Sequence, residues 1–314
     1  MSEPGSEPVS VLVARFLAFG DVLLTLPLAE TLHRSRAVAS VDVLTQRRYA
    51  DLLVRSPYVR RVHTSDPGVP YDVLLDLHTR AAPLRADIEA LLGRVRAGTR
   101  IGFANPWQRT ADGRLPTRRW DEHAVEYYAR AAGDLIDGPL ATGVVTIAPS
   151  DLAAARDLVP PGAVAVAPGA RYRFKRWPAD AYRRLVQLLA ARGVPAVLVG
   201  HSFDRDVIGQ VGGAPVLVID DDYRLAAVLR ACGVVVANNS GMAHLAQVAG
   251  ARVVCVHSHT LPAMWRPWGD GHVNVTGAPG PCDCPDLTEF ETPVPCGLAI
   301  EPATVVDSVV ELVR

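Results

Sequence analysis

The feature that most constrains the fold of this chain is an alternation of short apolar runs with longer segments of helical periodicity, repeated from end to end. Residues 9–14 are the first apolar run, and the leucines of residues 21–33 then recur at helical spacing. Because strands that alternate with helices pair in parallel and carry helices on both faces, the pattern predicts doubly wound α/β sheets.

The alternation occupies two halves of similar size. In the first half the predicted strands are 9–14, 41–44, 62–64, 73–77 and 100–103, and the predicted helices are 21–33, 47–55, 83–94 and 121–133. In the second half the predicted strands are 163–167, 195–199, 216–219, 234–237 and 253–256, and the predicted helices are 179–192, 205–211, 223–231, 240–249 and 302–313. We therefore expect two Rossmann-like domains, each binding ligands at the carboxyl ends of its strands.

A stretch rich in glycine and proline separates the two halves. It covers residues 137–162 and favours an interdomain linker with a short extended piece. The expected organisation is a disordered tail (1–8), an N-terminal Rossmann-like domain (9–150), a C-terminal Rossmann-like domain (151–301) and a terminal helix (302–314). A chain of 314 residues is long enough for two cores of this size.

Charge and hydropathy exclude some classes of protein. The formal net charge of −1 argues against a general nucleic-acid binder, whose affinity would depend on phosphate neutralisation. Residues 80–119 nevertheless hold nine arginines against three acids, which suits either the steering of an anionic partner or an ordinary solvated face. Without a secretory signal or a membrane-length apolar stretch, the expected location is the cytoplasm, with peripheral membrane contact left open.

One residue stands out by composition. Lys175 is the sole lysine among 32 basic residues, and it lies on a loop between a predicted strand and a predicted helix. A lysine offers a compact charge on a long stem, which suits a mobile phosphate oxygen. The alternative is a lysine retained by chance on a solvated loop.

The segment 234–246 is the most specific motif. A buried strand ends in Asn238 and Asn239, and Ser240 is then a natural N-cap for the following helix. The amides of Gly241 and Met242 would point outward at the positive end of this helix, which favours an anion. His244 lies one turn later, within reach of a phosphate or ribose. The alternative is a plain αβα junction with a capping serine.

These motifs together resemble glycosyltransferase family 9, which contains the ADP-heptose:lipopolysaccharide heptosyltransferases. The resemblance covers the chain from about residue 9 to its end, and the segments that carry it are Gly20-Asp21, His123-x-x-Glu126-Tyr127, the loop 174–178, Gly200 and the segment 239–244. It implies a GT-B architecture, with two doubly wound Rossmann-like domains facing a cleft, and an inverting reaction that needs no metal and no cofactor.

The resemblance also implies residue roles. Asp21 matches the family's catalytic base, although capping of the helix N-terminus would use the same position. Lys175, a second catalytic candidate, would hold the departing diphosphate in place of a divalent cation. The donor-binding candidates are Gly20, Lys175, Asn239, Ser240, Gly241, Met242 and His244, and the acceptor-binding candidates are His78, Arg80, Arg119 and His123.

The chain departs from the family pattern at two places. Asn239 stands where members usually carry an aspartate that is thought to hold hydroxyls of the donor sugar, and an asparagine lacks its charge. His257-Ser258-His259-Thr260 replaces a loop of Gly-Pro-Thr type. The donor is therefore expected to be ADP-heptose or a similar nucleotide sugar, and the acceptor a glycan or small molecule that is either anionic or neutral.

Two groups of residues resemble metal ligands. Cys282, Cys284 and Cys296 share a proline-rich loop with His272 nearby, but a Cys-x-Cys spacing is not typical of structural zinc, so no metal is expected. Asp220-Asp221-Asp222 precedes a predicted helix, where capping is the expected role. Trp265 and Trp268 suit either stacking on a sugar or base, or packing within their loop.

The function predicted from the sequence is transfer of a sugar, such as a heptose, from a nucleotide diphosphate to a hydroxyl group. Two alternatives stay open. A nucleotide-sugar epimerase on the same fold would need no separate acceptor, and a catalytically weak protein that binds nucleotide sugars would fit the change at Asn239.

Overall fold

The computed structural model describes residues 7–78, 85–103, 122–258, 260, 262–277 and 295–313. The chain divides into two compact units, Met1–Thr146 and Ile147–Arg314. Within the described residues, no helix has both the length and the apolar character needed to cross a lipid bilayer.

The first unit is built on a parallel sheet. Its described strands are β1 (Val9–Ala14), β2 (Val38–Leu44), β3 (Arg61–His63), β4 (Tyr71–Asp76) and β5 (Ala97–Gly102). Its described helices are α1 (Phe19–Leu23), α2 (Leu26–Arg34), α3 (Arg47–Leu53), α4 (Ala86–Arg94) and α5 (Ala124–Ala132). The strand order is β3-β2-β1-β4-β5, so the winding direction reverses between β1 and β4.

The second unit is a larger sheet of the same kind. Its described strands are β6 (Val164–Ala167), β7 (Ala196–Gly200), β8 (Val216–Val218), β9 (Val234–Asn238), β10 (Arg252–His257) and β11 (Val273–Thr276). Its described helices are α6 (Pro149–Arg156), α7 (Ala179–Ala191), α8 (Arg205–Val211), α9 (Asp222–Cys232), α10 (Gly241–Val248), α11 (Pro262–Trp265), α12 (Pro295–Leu298) and α13 (Pro302–Val313). The order is β11-β10-β9-β6-β7-β8, and the reversal lies between β6 and β9.

Both sheets are doubly wound, which confirms the fold class predicted from the sequence. All four residues of β6 and all five of β9 are buried, as expected for central parallel strands covered on both faces. Ligands of such sheets bind at the carboxyl ends of the strands where the winding reverses. The topology therefore directs attention to the loops after β1 and β4 in one unit, and after β6 and β9 in the other.

The single helix predicted over residues 21–33 is wrong, because the structure has two helices there, α1 and α2. Pro27 is the second residue of α2. A proline has no amide hydrogen, and its ring clashes with the carbonyl four residues earlier, so it cannot continue a helix from α1 but fits the first turn of a new one.

The predicted linker over residues 137–162 is wrong in part, since it contains α6. Pro149 occupies the first helical turn, where proline is favoured, instead of interrupting an extended piece. The Tyr223 hydroxyl of α9 accepts from the Ala148 amide at 3.0 Å and donates to Asp151 at 2.9 Å. These bonds attach α6 to α9 inside the second unit.

The terminal helix predicted over residues 302–313 is confirmed, and it is integral to the second unit. Val305, Val306 and Val309 of α13 are buried in the core that also contains residues of α7 and β10. Burying a valine fully contributes about 1.5–3 kcal/mol relative to leaving it exposed, so removal of α13 would open this core. Strand β11 has no counterpart among the predicted elements.

Candidate active site

A carboxylate and an arginine meet where β1 ends. The Nη2 group of Arg15 donates to Oδ1 of Asp21 at 2.8 Å, and the Tyr128 hydroxyl of α5 donates to the same oxygen at 3.2 Å. The Nη1 group of Arg15 donates to the Leu77 carbonyl at 2.5 Å. These contacts fix the carboxylate, yet the Asp21 side chain is still 18 % exposed and accessible to a ligand.

The guanidinium of Arg15 stays charged in this setting. Burial by itself lowers the pKa of Arg15, but the nearby Tyr128, Asp21 and Asp76 outweigh burial and raise it. Arg15 therefore presents a fixed positive charge to the Asp21 carboxylate.

Asp21 is not the N-cap of α1, which is the alternative structural role of an aspartate at this position. Ala18 is the N-cap of α1, and Asp21 is the third helical residue. Its Oδ2 atom accepts a hydrogen bond from the Ala18 amide at 3.2 Å, as the third residue of a capping box does. Asp21 thus supports the first turn of α1 through Oδ2, and its role as a base stays a prediction.

Asp76 and His78 lie at the end of β4, across the switch point from β1. The Phe16 amide donates to Nε2 of His78 at 3.0 Å, so in the neutral ring the proton is on Nδ1, which donates to Asp76 at 2.5 Å. The ring is 3 % exposed and stacks on Phe16, with 5.5 Å between centroids. His78 thus fixes the backbone at Phe16 and the carboxylate of Asp76. Its role in acceptor binding stays a prediction.

The other acceptor candidates are placed differently. His123 is the buried N-cap of α5, where Nδ1 accepts from the Val125 amide at 3.2 Å. Glu126 accepts from the His123 amide at 2.9 Å and completes the capping box. Arg80 and Arg119 lie outside the described residues, so their role stays a prediction.

A cavity of about 220 Å³ opens at the same edge of the first sheet. Phe16, Thr45 and Thr64, which follow β1, β2 and β3, form one side of it. Arg47 and Arg85 line it from α3 and from the residue before α4. Arg85 pairs with the exposed Asp87 at 2.8 Å, whereas no described residue pairs with Arg47. The cavity therefore carries net positive charge.

In the second unit, Asn238 holds the loop after β6 by both of its ends. Its Oδ1 atom accepts from the Trp177 amide at 2.9 Å, and its Nδ2 atom donates to the carbonyls of Pro168 and Gly169 at 2.8 and 3.3 Å. Asn238 is fully buried at the end of β9. A single side chain thus closes the loop that carries Lys175.

We expect Asn238→Asp to destabilise the protein by on the order of 3 kcal/mol or more. The carboxylate cannot donate to Pro168 and Gly169, and it would be a buried charge that faces two carbonyl oxygens. Urea unfolding would measure the change. The exposed amide of Gln210, changed to Glu, provides the matched control, and equal unfolding midpoints for the two variants would contradict the assigned role.

Lys175 ends a short turn of 3-10 helix, Arg173–Lys175, and is half-buried. Its charge acts on the neighbouring β10, because it helps to lower the pKa of His257 and opposes the burial that raises the pKa of Cys255. The lone lysine therefore lies near the carboxyl end of the central strands.

The beginning of α10 presents open amides at this edge. Ser240 occupies the N-cap position, but its hydroxyl makes no capping bond and lies 3.5 Å from the Gly169 carbonyl. Within the described part of the chain, the amides of Gly241 and Met242 have no acceptor. His244 is 4 % exposed inside α10. The expected use of the serine hydroxyl as a cap is wrong, since it turns toward the loop after β6.

Asn239 is part of a network with His257. Its Nδ2 atom donates to Nδ1 of His257 at 2.8 Å and to the Trp265 carbonyl at 3.0 Å. The Nε2 atom of His257 lies 2.9 Å from Oδ1 of Asn274. Burial lowers the pKa of His257 to about 4, so the ring is neutral near pH 7 and accepts at Nδ1 while donating at Nε2.

The chain is also similar in sequence to a known family. A family model described as glycosyltransferase family 9 (heptosyltransferase) matches residues 68–289, more than two thirds of the chain. The chain belongs to glycosyltransferase family 9. It is therefore a glycosyltransferase, as the resemblance in its motifs implied.

Solved structures agree with this assignment at the level of the fold. A glycosyltransferase family 9 protein from Veillonella parvula is 16 % identical, with 97 % of each chain covered and a TM-score of 0.79. The Escherichia coli ADP-heptose lipopolysaccharide heptosyltransferase II is 19 % identical, with 97 % of this chain and 98 % of that chain covered and a TM-score of 0.74. An E. coli heptosyltransferase solved with ADP is 19 % identical, with 96 % and 99 % covered and a TM-score of 0.67. A search of curated protein sequences gave no match.

These neighbours have the GT-B fold of glycosyltransferase family 9, which confirms the predicted architecture of two doubly wound sheets. The two cysteines whose side chains are described, Cys232 and Cys255, are free. Cys282 and Cys284 and the side chain of Cys296 lie outside the described residues. No group of three or more metal-ligating side chains occurs among the residues that are described.

The capping role predicted for aspartates 220–222 is confirmed for Asp221. Asp221 is the N-cap of α9 and accepts from the Arg224 amide at 2.8 Å, and Asp220 accepts from the Ser202 amide at 2.7 Å. Asp222 contacts His201 at 2.8 Å. Their oxygens thus serve local hydrogen bonds in this family 9 enzyme.

Four residues to which the sequence analysis gave no role belong to the two sites. Arg15 and Tyr128 hold Asp21, and Asn238 and His257 hold the loop of Lys175 and the side chain of Asn239. The sequence does contain a signal for two of them, because Arg15 and Asn238 are polar residues that directly follow apolar strand-length runs.

Proposed function

We propose that this family 9 enzyme is an inverting, metal-independent glycosyltransferase that moves a sugar from an ADP-linked donor to a hydroxyl group of a glycan or other acceptor. The observation that carries the proposal is that the loop of Lys175 and the open N-terminus of α10 share one edge of the second sheet. The E. coli neighbours, an ADP-heptose enzyme and an enzyme solved with ADP, support an adenine nucleotide and a heptose.

The donor diphosphate would be held by backbone amides and one ammonium group. The amides of Gly241 and Met242 lie at the positive end of the α10 dipole, which favours an anion. Lys175 adds a full positive charge on a flexible stem. As the glycosidic bond breaks, negative charge grows on the leaving diphosphate, and this fixed positive field stabilises it in the role that a divalent cation has in other transferases.

The acceptor hydroxyl would lose its proton to Asp21. As the acceptor oxygen bonds to the anomeric carbon from the face opposite the leaving group, its proton passes to the carboxylate, and the bonding pair to the diphosphate leaves with ADP. Arg15 and Tyr128 keep the carboxylate in one orientation. Because the attack comes from the opposite face, the sugar configuration inverts.

The cavity of the first unit supports an anionic acceptor. Arg47 and Arg85 line it, and an arginine binds a phosphate or carboxylate group through two parallel hydrogen bonds. The cavity and Asp21 both lie at the carboxyl edge of the first sheet. We therefore propose an acceptor with at least one negatively charged group, such as a phosphorylated or acidic glycan.

The proposal is tested with purified protein, a panel of ADP-, GDP- and UDP-linked sugars, and phosphorylated glycan acceptors. We expect release of ADP and an acceptor product of inverted configuration, and we expect the rate to survive EDTA. Mass spectrometry would identify the released ADP and the acceptor product, and NMR would give the configuration of the product. An epimerised sugar without transfer would favour the epimerase, binding without turnover would favour a binding protein, and loss of activity in EDTA with recovery in Mg²⁺ would refute metal independence.

A further inference from the structure

We propose that His257 is a positioning residue, which with Asn274 locks the amide of Asn239 so that its Oδ1 atom is a single neutral acceptor for one hydroxyl group of the donor sugar. The proposal rests on the proposed function, because Asn239 directly precedes the N-cap of α10, where the donor diphosphate would be held, so the donor sugar would lie beside it. The three side chains lie at the ends of β9 and β10 and in β11.

The orientation of the Asn239 amide follows from its partners. The Trp265 carbonyl can only accept, so the side-chain atom 3.0 Å away must be the Nδ2 donor. The same Nδ2 atom lies 2.8 Å from Nδ1 of His257, which must then carry no proton. The two hydrogens of Nδ2 are thereby used, and Oδ1 is directed away from both partners.

The tautomer of His257 follows in turn. With Nδ1 unprotonated, the proton of the neutral ring is on Nε2, which donates to Oδ1 of Asn274 at 2.9 Å. Thr260 lies 3.2 Å from Nδ1, and the charge of Lys175 opposes protonation of the ring. Asn274 and the Thr260 backbone favour a proton on the ring, but burial outweighs them, so the ring is neutral.

This network leaves one atom of Asn239 for a ligand. The residue is 2 % exposed, and among the described residues none donates to its Oδ1 atom. The backbone amide of Asn239 is used by the Val256 carbonyl at 2.9 Å. An aspartate at this position would offer two charged acceptor oxygens, whereas this arrangement offers one neutral oxygen. This side chain therefore suits a sugar that presents a single hydroxyl to it, in preference to one that needs a charged or two-atom contact.

The first test does not depend on any donor. Long-range ¹H–¹⁵N spectra of the histidine side chains would show His257 as the Nε2-protonated neutral tautomer between pH 5.5 and 8. In Asn239→Asp the new carboxylate faces Nδ1, so we expect the pKa of His257 to rise and the ring to become doubly protonated. An Nδ1-protonated ring in the wild type, or an unchanged titration in Asn239→Asp, would overturn the network.

The second test compares the affinities of ADP and ADP-heptose by calorimetry. In His257→Phe the amide of Asn239 loses an acceptor, so we expect ADP to bind as in the wild type while the gain in affinity from the sugar falls about 3- to 10-fold, the range of one hydrogen bond. His257→Gln can accept from Asn239 and donate to Asn274, and we expect it to restore the gain.

The two tests separate this inference from the proposed function. If ADP binds and the gain from the sugar is the same in His257→Phe, the positioning role is wrong although the proposed function stands. If neither ADP nor ADP-heptose binds the wild type, the proposed function is wrong, and the ¹⁵N spectra still decide whether the network exists. Should His257→Phe fail to fold, His257→Gln and the wild-type spectra remain decisive.

Discussion

Asp21→Asn should lower kcat by on the order of 10² to 10⁴-fold while nucleotide binding is nearly unchanged, because a general base acts on the acceptor and contributes this much to rate. Asparagine preserves the shape of the side chain, and its one oxygen can still accept from Arg15 and Tyr128, whereas its NH2 group cannot accept from the Ala18 amide. It cannot take up a proton at neutral pH. Steady-state kinetics would measure the loss in kcat, and the affinity for ADP would show whether nucleotide binding is unchanged.

Three observations distinguish catalysis from support of α1. If Asp21 only stabilises the first turn of α1, Asp21→Asn should lower the unfolding free energy and leave kcat unchanged, so an unchanged kcat would refute the role of base. The ion pair with Arg15 is part-buried, and its loss also costs stability, so the unfolding free energy must be measured in parallel. Asp51→Asn, at an exposed carboxylate of α3, is the matched control and should leave both quantities unchanged.

Much of the fold could be predicted because its elements are specified locally. Central strands such as β6 and β9 are continuous apolar runs, and their alternation with helices requires parallel pairing. The order of the strands is a different matter, since it depends on which runs pair across long separations in sequence. The breaks around α1 and α6 were missed because Pro27 and Pro149 have two readings, as a helix breaker or as a first-turn residue, and tertiary packing decides between them.

The candidate sites also contain parts that are specified locally in the sequence and parts that depend on contacts between distant residues. Lys175 and the segment 240–242 could be proposed because a strand, a loop and a helix N-terminus are contiguous in sequence. Tyr128 and Asp21 are separated by 107 residues, and Asn238 and Trp177 by 61, so no local pattern joins them. The sequence shows Asn239 as the loss of a charge, but only the structure reveals that His257 uses its Nδ2 atom.

Lys175→Met should weaken stabilisation of the transition state by about 2 to 4 kcal/mol, which is on the order of 10² to 10³-fold in kcat/KM, the effect of removing one preorganised electrostatic group. The reason is that negative charge on the diphosphate is greatest when the glycosidic bond has broken, so the ammonium group interacts more strongly with the transition state than with the bound donor. Loss should therefore appear in kcat as well as in KM.

The rest of the loop allows a sharp control. Arg173 begins the same turn of 3-10 helix and is exposed, so Arg173→Ala should change kcat/KM by no more than a few-fold if Lys175 acts through a specific position and not through the general charge of the loop.

Lys175→Arg keeps the charge but replaces a compact ammonium with a planar fork, and we expect it to recover only part of the rate. Unfolding free energies measured in parallel for all three variants separate a loss of rate from a loss of stability. Equal losses in Lys175→Met and Arg173→Ala, or wild-type rates in Lys175→Met, would show that the lone lysine is incidental and that the amides of α10 hold the diphosphate without it.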